Sequence, residues 1–214
     1  MRKILVFFVL SVFSYSQKAD LTSAILAFQK DDNEQAIEFI DIAYDKFMQK
    51  GLDQEKPKLI SKFWFYRGEI YYKSGNLDIA VESYLNDLNL NAKGGLQKKS
   101  LIKLQECAVR YNNLAIEFYD SKDFDSSAKY FENTYNIRSN PSINVIDTAS
   151  LFNASFLFYN NEDFSNSLRL SEKLVSLNSK DERYQIQHIQ NLEKIGSKDD
   201  LLLAINFARA ENPS

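Results

Sequence analysis

The sequence is poor in the residues on which most metal-binding, nucleotide-binding and all-β folds depend. Its 214 residues include 6 glycines, 3 prolines, 1 cysteine and 1 histidine. Six glycines are too few for the tight turns of an all-β barrel or for glycine-rich nucleotide loops. One cysteine and one histidine cannot build an ordinary structural zinc site, and Cys107 has no partner for an intramolecular disulfide. We therefore expect no metal, no cofactor and a fold stabilised by packing alone.

Apolar and aromatic residues, by contrast, are abundant. Hydrophobic residues make up 44% of the chain, with 16 phenylalanines and 12 tyrosines, and charged residues make up 26%. This composition is ample for a buried core and argues against wholesale disorder. The formal net charge is -3. Because a mildly acidic chain is not suited to neutralise phosphates, we expect no nucleic-acid partner.

The first sixteen residues have the composition of a secretory signal peptide. A basic start, Met1-Arg2-Lys3, is followed by the apolar run Ile4–Phe13 and then by Ser14-Tyr15-Ser16. The pattern predicts cleavage after Ser16 and export of residues 17–214 to the periplasm or beyond. The apolar run is too short to span a bilayer, so we expect no stable membrane insertion after cleavage. A buried first helix of the fold is the alternative interpretation.

The remaining sequence has helical periodicity throughout, and residues 64–90 give the clearest unit. Trp64, Gly68 and Tyr71 are spaced by four and three, which places them on one face of a helix. Gly75 can end that helix in a left-handed conformation, and Asn76 can cap the next one. The second helix carries an answering apolar stripe at Leu77, Ala80, Tyr84 and Leu88. The pattern predicts a helical hairpin that cannot bury its apolar faces alone.

This unit resembles the tetratricopeptide repeat, and its register recurs along the chain. The residues that carry the resemblance are Trp64, Gly68, Tyr71, Gly75, Ala80 and Tyr84. Further copies are found around residues 24–43, 111–141, 151–174 and 189–213, the last being the poorest because Ile189 and Leu201 stand where small residues are expected. The resemblance implies an all-α, right-handed superhelix of about five hairpins over residues 17–214.

The residues that begin the second helix of each hairpin support this register independently. All five have side chains that accept hydrogen bonds from the free N–H groups of a helix start, namely Asp32, Asn76, Asp123, Asp163 and Ser197. The last two are 34 residues apart, which is the family's period. The longer earlier intervals predict insertions near residues 51–57 and 91–100.

A second stripe lies beside the core stripe on the first helix of each hairpin. In this family that face lines the concave wall of the superhelix, where aromatic rings can form a groove for an extended peptide. Packing between helices is the alternative role. The predicted partner-binding residues are Phe65, Tyr72, Asn112, Tyr119, Phe152, Phe156 and Tyr159.

The last predicted helix is apolar on nearly all sides. Repeat arrays normally end with a polar outer face. We therefore expect this helix to be covered by a second copy of the chain or by a partner, through Leu201, Leu202, Ile205 and Phe207.

No arrangement of residues points to catalysis. His188 has no recognisable nucleophile near it in sequence, and clustered acids such as Asp199-Asp200 are explained by helix starts. The function that we expect is an exported, non-enzymatic scaffold or adaptor that binds a protein or peptide. The alternatives are a ligand-sensing or regulatory front domain of an envelope signalling or assembly system and, less favoured, a carboxylate-dependent hydrolase.

Overall fold

The structure is a computed structural model, and it describes residues 17–90 and 92–212. The predicted signal peptide and Pro213, which supports the fifth repeat, lie outside this part of the chain. Every regular element within it is helical. The helices divide into two compact units, with the boundary between Leu104 and Gln105. Each unit is described by itself.

The first unit begins with two helical hairpins. Helix α1 covers residues 17–29 and α2 covers Asn33–Lys50. A short 3₁₀ helix, Leu52–Gln54, occupies the first predicted insertion. The second hairpin consists of α3, Pro57–Ser74, and α4, Leu77–Leu88.

Helix α5 follows the second predicted insertion and runs through Gln97–Asp120, so its first two turns belong to the first unit. The second unit continues with α6, Phe124–Arg138, which completes the third hairpin. The fourth hairpin is α7, Thr148–Asn160, with α8, Phe164–Leu177, and the fifth is α9, Glu182–Ile195, with α10, Lys198–Glu211. Consecutive helices pack together from α6 to α10. The all-α, tetratricopeptide-like fold class predicted from the sequence is confirmed.

All five predicted helix caps are present. The side chains of Asp32, Asn76, Asp123, Asp163 and Ser197 each accept a hydrogen bond from the backbone N–H three residues further on. These bonds satisfy N–H groups that have no partner inside the helix. The hairpin register that the caps predicted is therefore the register of the structure.

The residue before each cap turns the chain through a left-handed conformation in four of the five hairpins. Gly75 has φ +88°, as its missing Cβ permits. The equivalent residues Asp31, Lys122 and Glu162 have φ between +62° and +67° although they carry side chains. Gly196, at the fifth turn, has φ -80° and does not share this conformation. The turn of the last hairpin therefore differs from the others.

The core of each unit lies between the paired helices, as the repeat pattern predicts. Trp64 is buried in the first unit. In the second unit the core is formed mainly by Phe131, Leu151, Phe158, Leu170 and Leu174. Phe131, Leu151, Phe158 and Leu174 belong to the stripes identified in the sequence, whereas Leu170 and other core residues such as Tyr184 do not.

Serine hydroxyls bond across the crossings of the third and fourth hairpins. Ser127 Oγ donates to the carbonyl of Ala115, at 2.7 Å. Ser155 and Ser167 donate to each other's carbonyl oxygens, at 3.0 and 2.8 Å. Small side chains at these positions allow the helices to approach closely, and their buried hydroxyls are paired.

The second helix of the fifth hairpin is largely exposed. Helix α10 contacts α9, but none of its residues is buried. Ile189 and Leu201, where the predicted repeat pattern has small residues, are both half-buried. Helix α10 leaves much of its apolar surface exposed, including Leu202, Leu203 and Phe207.

Candidate functional site

The second unit contains an apolar groove of about 380 Å³ between α5 and α7. Helix α5 contributes Ile116 and Tyr119, which expose 46% and 50% of their surface. Helix α7 contributes Phe152 and Phe156, the latter 45% exposed. The groove has the size of a small binding pocket, and most of its lining is apolar.

Two buried core residues form the floor of the groove. Phe131 of α6 and Leu157 of α7 also line it, and both are buried. Asn153, whose side chain is exposed, is the polar member of the lining. Its amide can donate and accept a hydrogen bond, which suits the backbone of an extended peptide. The groove therefore combines an apolar floor with one amide on its wall.

Two aromatic rings of the groove, those of Tyr119 and Phe152, pack against neighbouring helices, and Phe156 stacks on Phe152 within α7. Phe152 stacks on Phe156 at 6.4 Å between ring centroids and lies 5.8 Å from the ring of Tyr184. Tyr119 packs against Phe124 at 5.7 Å. Rings held in this way lose little conformational freedom when a partner binds.

Five predicted partner-binding residues lie in the second unit, and the structure brings three of them together. Tyr119, Phe152 and Phe156 line the groove. Asn112 is half-buried one turn before Ile116 and is not part of the lining. Tyr159 is half-buried and packs edge-on against Phe164, at 5.3 Å. Packing therefore accounts for much of the surface of Tyr159.

The two remaining predicted residues, Phe65 and Tyr72, lie in the first unit. Phe65 is only 7% exposed and packs against Tyr66 and Tyr84. Its accessible edge borders a separate groove of about 390 Å³ with Lys99 and Lys103. Tyr72 is half-buried under the Lys103 ammonium, which is 5.2 Å from its ring centroid. Phe65 is thus mainly a core residue.

Sequence reasoning left Ile116, Asn153, Phe131 and Leu157 out of the predicted site. Ile116 stands one turn before Tyr119 on the predicted second stripe, although it is not among the predicted partner-binding residues. Phe131 belongs to a different helix and to the core pattern, so no feature of the sequence marks it as part of a groove.

His188 lies in another groove, of about 580 Å³, formed by α8, α9 and α10. The ring is half-buried, and its Nδ1 is 3.4 Å from Ser171 Oγ. Burial lowers the pKa of His188, and the negative charge of Glu172 partly opposes this shift. The imidazole is consequently neutral near pH 7, where it can share a hydrogen bond with the serine hydroxyl.

The described residues contain no cluster of three or more histidine, cysteine, aspartate or glutamate side chains arranged to hold a metal ion. Within residues 17–90 and 92–212, no helix is long and apolar enough to cross a bilayer. Cys107 is fully buried within α5.

No family model matches the sequence, and no curated protein matches it either. Several solved structures share the helical arrangement at low identity. A complex of the TPR2AB domain of yeast Sti1 with pHSP90 is 16% identical, with a TM-score of 0.39, and the match covers 91% of this chain and 77% of that chain. MamA is 13% identical with a TM-score of 0.41, covering 92% of both chains. Pseudomonas aeruginosa pilF is 12% identical with a TM-score of 0.37, covering 94% of this chain and 79% of that chain. At these scores the similarity carries no argument about function.

Proposed function

We propose that this chain of tetratricopeptide-like hairpins is a protein-interaction scaffold, and that the groove between α5 and α7 binds an extended peptide with bulky apolar side chains. The observation that carries the proposal is the exposure of Ile116, Tyr119 and Phe156 around one concavity. Exposed apolar side chains scattered singly are ordinary, but a contiguous set over a concave floor is typical of a binding surface.

Packing between helices accounts for only some of the apolar side chains that line the groove. Phe152 lies in contact with both Phe156 and Tyr184, so packing accounts for much of its position. Phe156 stacks on Phe152 and still keeps nearly half of its surface in water. A leucine or phenylalanine side chain of a bound peptide would cover this surface. Removal of the apolar surface from water would then contribute favourably to the free energy of binding.

The peptide backbone can be recognised at the same place. Asn153 is exposed at the wall of the groove. Side-chain amides donate and accept hydrogen bonds together, which matches the alternating N–H and C=O groups of an extended chain. The groove would therefore select peptides by their apolar side chains and would accept the peptide backbone at several positions along its length.

Binding can be tested without knowledge of the natural partner. The probe is a displayed library of random peptides, selected on the full chain, and the dissociation constant of an enriched peptide is then measured by calorimetry. We expect enrichment of peptides with two or more large apolar residues, and Phe156→Ala should weaken their binding by about tenfold or more.

Phe207→Ala is the matched control, because Phe207 of α10 is 44% exposed and lies outside this groove. This change should leave the dissociation constant unaltered. Enrichment of peptides without apolar residues, or equal binding by Phe156→Ala and the wild type, would show that the groove is not the peptide site.

We also propose that the scaffold acts outside the cytoplasm, in the periplasm or after secretion. The basic start, short apolar run and small residues before position 17 support this location. Gln17, the first residue after the predicted cut, is buried, and its side-chain amide donates to the carbonyl of Lys46 at 2.8 Å. N-terminal sequencing of the protein from expressing cells should give Gln17 as the first residue. An intact Met1 in the accumulated protein would contradict export by cleavage.

A further inference from the structure

Helix α10 presents a face that no described part of the chain covers. None of its residues is buried, and Leu202 and Leu203 expose 59% and 71% of their surface. Of the residues that the sequence predicted for a contact here, Leu202 and Phe207 are exposed, whereas Leu201 and Ile205 are half-buried towards α9. The available surface is therefore centred on Leu202 and Leu203.

Four exposed residues follow this face at coiled-coil spacing. Asp199, Leu202, Asn206 and Arg209 are separated by three, four and three positions, so they form one seam along the helix. Leu203 flanks the seam at its centre. The seam thus has a carboxylate at its N-terminal end, a leucine pair and an amide in its middle, and a guanidinium at its C-terminal end.

This order of charges is complementary to itself when a second helix runs in the opposite direction. An antiparallel copy places Asp199 opposite Arg209 of the other chain at both ends of the seam. The same register sets Leu202 opposite Asn206 and brings the leucines of both copies together around the twofold axis. In such an isologous contact, the charged ends of each seam pair with the opposite ends of the other seam.

Asp199 and Arg209 are available for this contact. Neither side chain makes an ion pair with another described residue. The neighbouring Asp200, in contrast, is engaged at the helix cap, where Ser197 Oγ donates to its carboxylate at 2.6 Å. The helix dipole favours an acidic residue in the first turn and a basic residue in the last turn. It does not explain why Asp199 and Arg209 lie on the same face as the exposed leucines.

We infer that α10 pairs with α10 of a second copy of this chain in an antiparallel homodimer, in which Asp199 of each copy contacts Arg209 of the other. The dipoles of the two helices then also lie side by side in opposite directions. The contact is separate from the peptide groove, so either proposal can fail without the other.

Charge reversal provides the test, with the oligomeric state of the full chain measured by analytical ultracentrifugation over a concentration series. The wild type should show a monomer–dimer equilibrium. Asp199→Arg and Arg209→Asp, each alone, should weaken dimerisation by about tenfold or more, because like charges then meet at both ends of the seam.

A mixture of the two variants distinguishes this seam from other causes of dissociation. At one end of the mixed dimer, the arginine introduced at position 199 would face the aspartate introduced at position 209. At the other end, the unchanged Asp199 of one variant would face the unchanged Arg209 of the other, so association should return. Recovery also shows that both variants are folded. Glu193→Arg, an exposed charge reversal on α9, is the control and should leave the equilibrium unchanged.

Three results would overturn the inference. The wild type could remain monomeric at every concentration, the single variants could dimerise as the wild type does, or the mixture could associate no better than its components. A monomeric wild type that binds a different protein through Leu202 would assign this face to that partner instead.

Discussion

The ring of Tyr84 lies directly on Gly68 where α3 and α4 cross. A Cβ added at position 68 would lie 2.7 Å from Tyr84 Cδ1 and overlap the ring further at Cε1. The Tyr84 hydroxyl donates to Glu69 at 2.7 Å, which holds the ring in place. The glycine is therefore required by packing at this crossing, although glycine is a poor helix former.

Gly68→Ala should destabilise the protein by about 1–3 kcal/mol, measured by urea denaturation. Alanine is the better helix former by about 1 kcal/mol, but the clash with a fixed aromatic ring outweighs this gain. The same substitution in a Tyr84→Leu background should cost less, because the ring is absent. An equal cost in both backgrounds would show that the Tyr84 contact is not the cause.

Glu162→Gly should stabilise the fourth hairpin by about 0.5–1 kcal/mol. Glu162 has φ +62°, a conformation that costs a residue with a side chain roughly 1–2 kcal/mol, and glycine would remove most of that strain. Thermal unfolding measures the change. Glu172→Gly, at an exposed position inside α8, is the control and should destabilise by about 1 kcal/mol. A loss of stability at both positions would contradict the strain argument.

Asp87→Asn should raise stability at neutral pH more than in acid. Asp87 is fully buried in α4, where Ser100 Oγ donates to its Oδ2 at 2.6 Å and its Oδ1 has no hydrogen-bond partner. Burial raises the pKa of Asp87 and outweighs the hydroxyls of Ser100 and Ser61, which lower it.

The sign of the pH dependence follows from that raised pKa. The folded protein binds the Asp87 proton more tightly than the unfolded chain does, so this residue favours folding most below its ordinary pKa of about 3.9. That contribution is lost as the pH rises through the folded-state pKa. Asparagine carries no charge, and it should therefore increase the thermal midpoint at about pH 7 and have a smaller effect at about pH 3. An increase that is independent of pH would rule out the buried charge as the cause.

Two phenylalanines of α7 should respond to truncation to very different extents. Phe158 is 2% exposed and belongs to the core, so Phe158→Ala should cost about 3–5 kcal/mol. Phe156 is 45% exposed at the groove, so Phe156→Ala should cost less than about 1 kcal/mol. Chemical denaturation compares the two variants directly. A large loss at Phe156 would identify that ring as part of the core.

Periodicity and cap chemistry were sufficient to predict the hairpins, because both act within a few residues of the chain. A residue such as Asp163 caps its helix through the N–H of Asn166, three positions away, and this interaction can be found without knowledge of the fold. Of the four left-handed hairpin turns, the sequence predicted only the one at Gly75. Asp31, Lys122 and Glu162 adopt the same conformation because the surrounding helices fix it, and their residue types do not predict it.

The candidate groove was predicted only in part. Tyr119, Phe152 and Phe156 lie on the expected stripe and do line it. Phe65 occupies the same stripe yet is buried, since Tyr66 and Tyr84 pack against it in the first unit. Whether a residue on this stripe is exposed therefore depends on the size of the side chains that pack against it. The spacing of the repeat does not predict those neighbours.

The sequence by itself determined the helices, their caps and the small residues at the crossings, because hydrogen bonding and steric fit between near neighbours are local. Only the tertiary structure decided which aromatic residues remain open to a partner. That outcome depends on contacts between helices, such as Phe152 with Tyr184, and on the floor that Phe131 adds to the groove, because packing brings together partners that are distant in the chain.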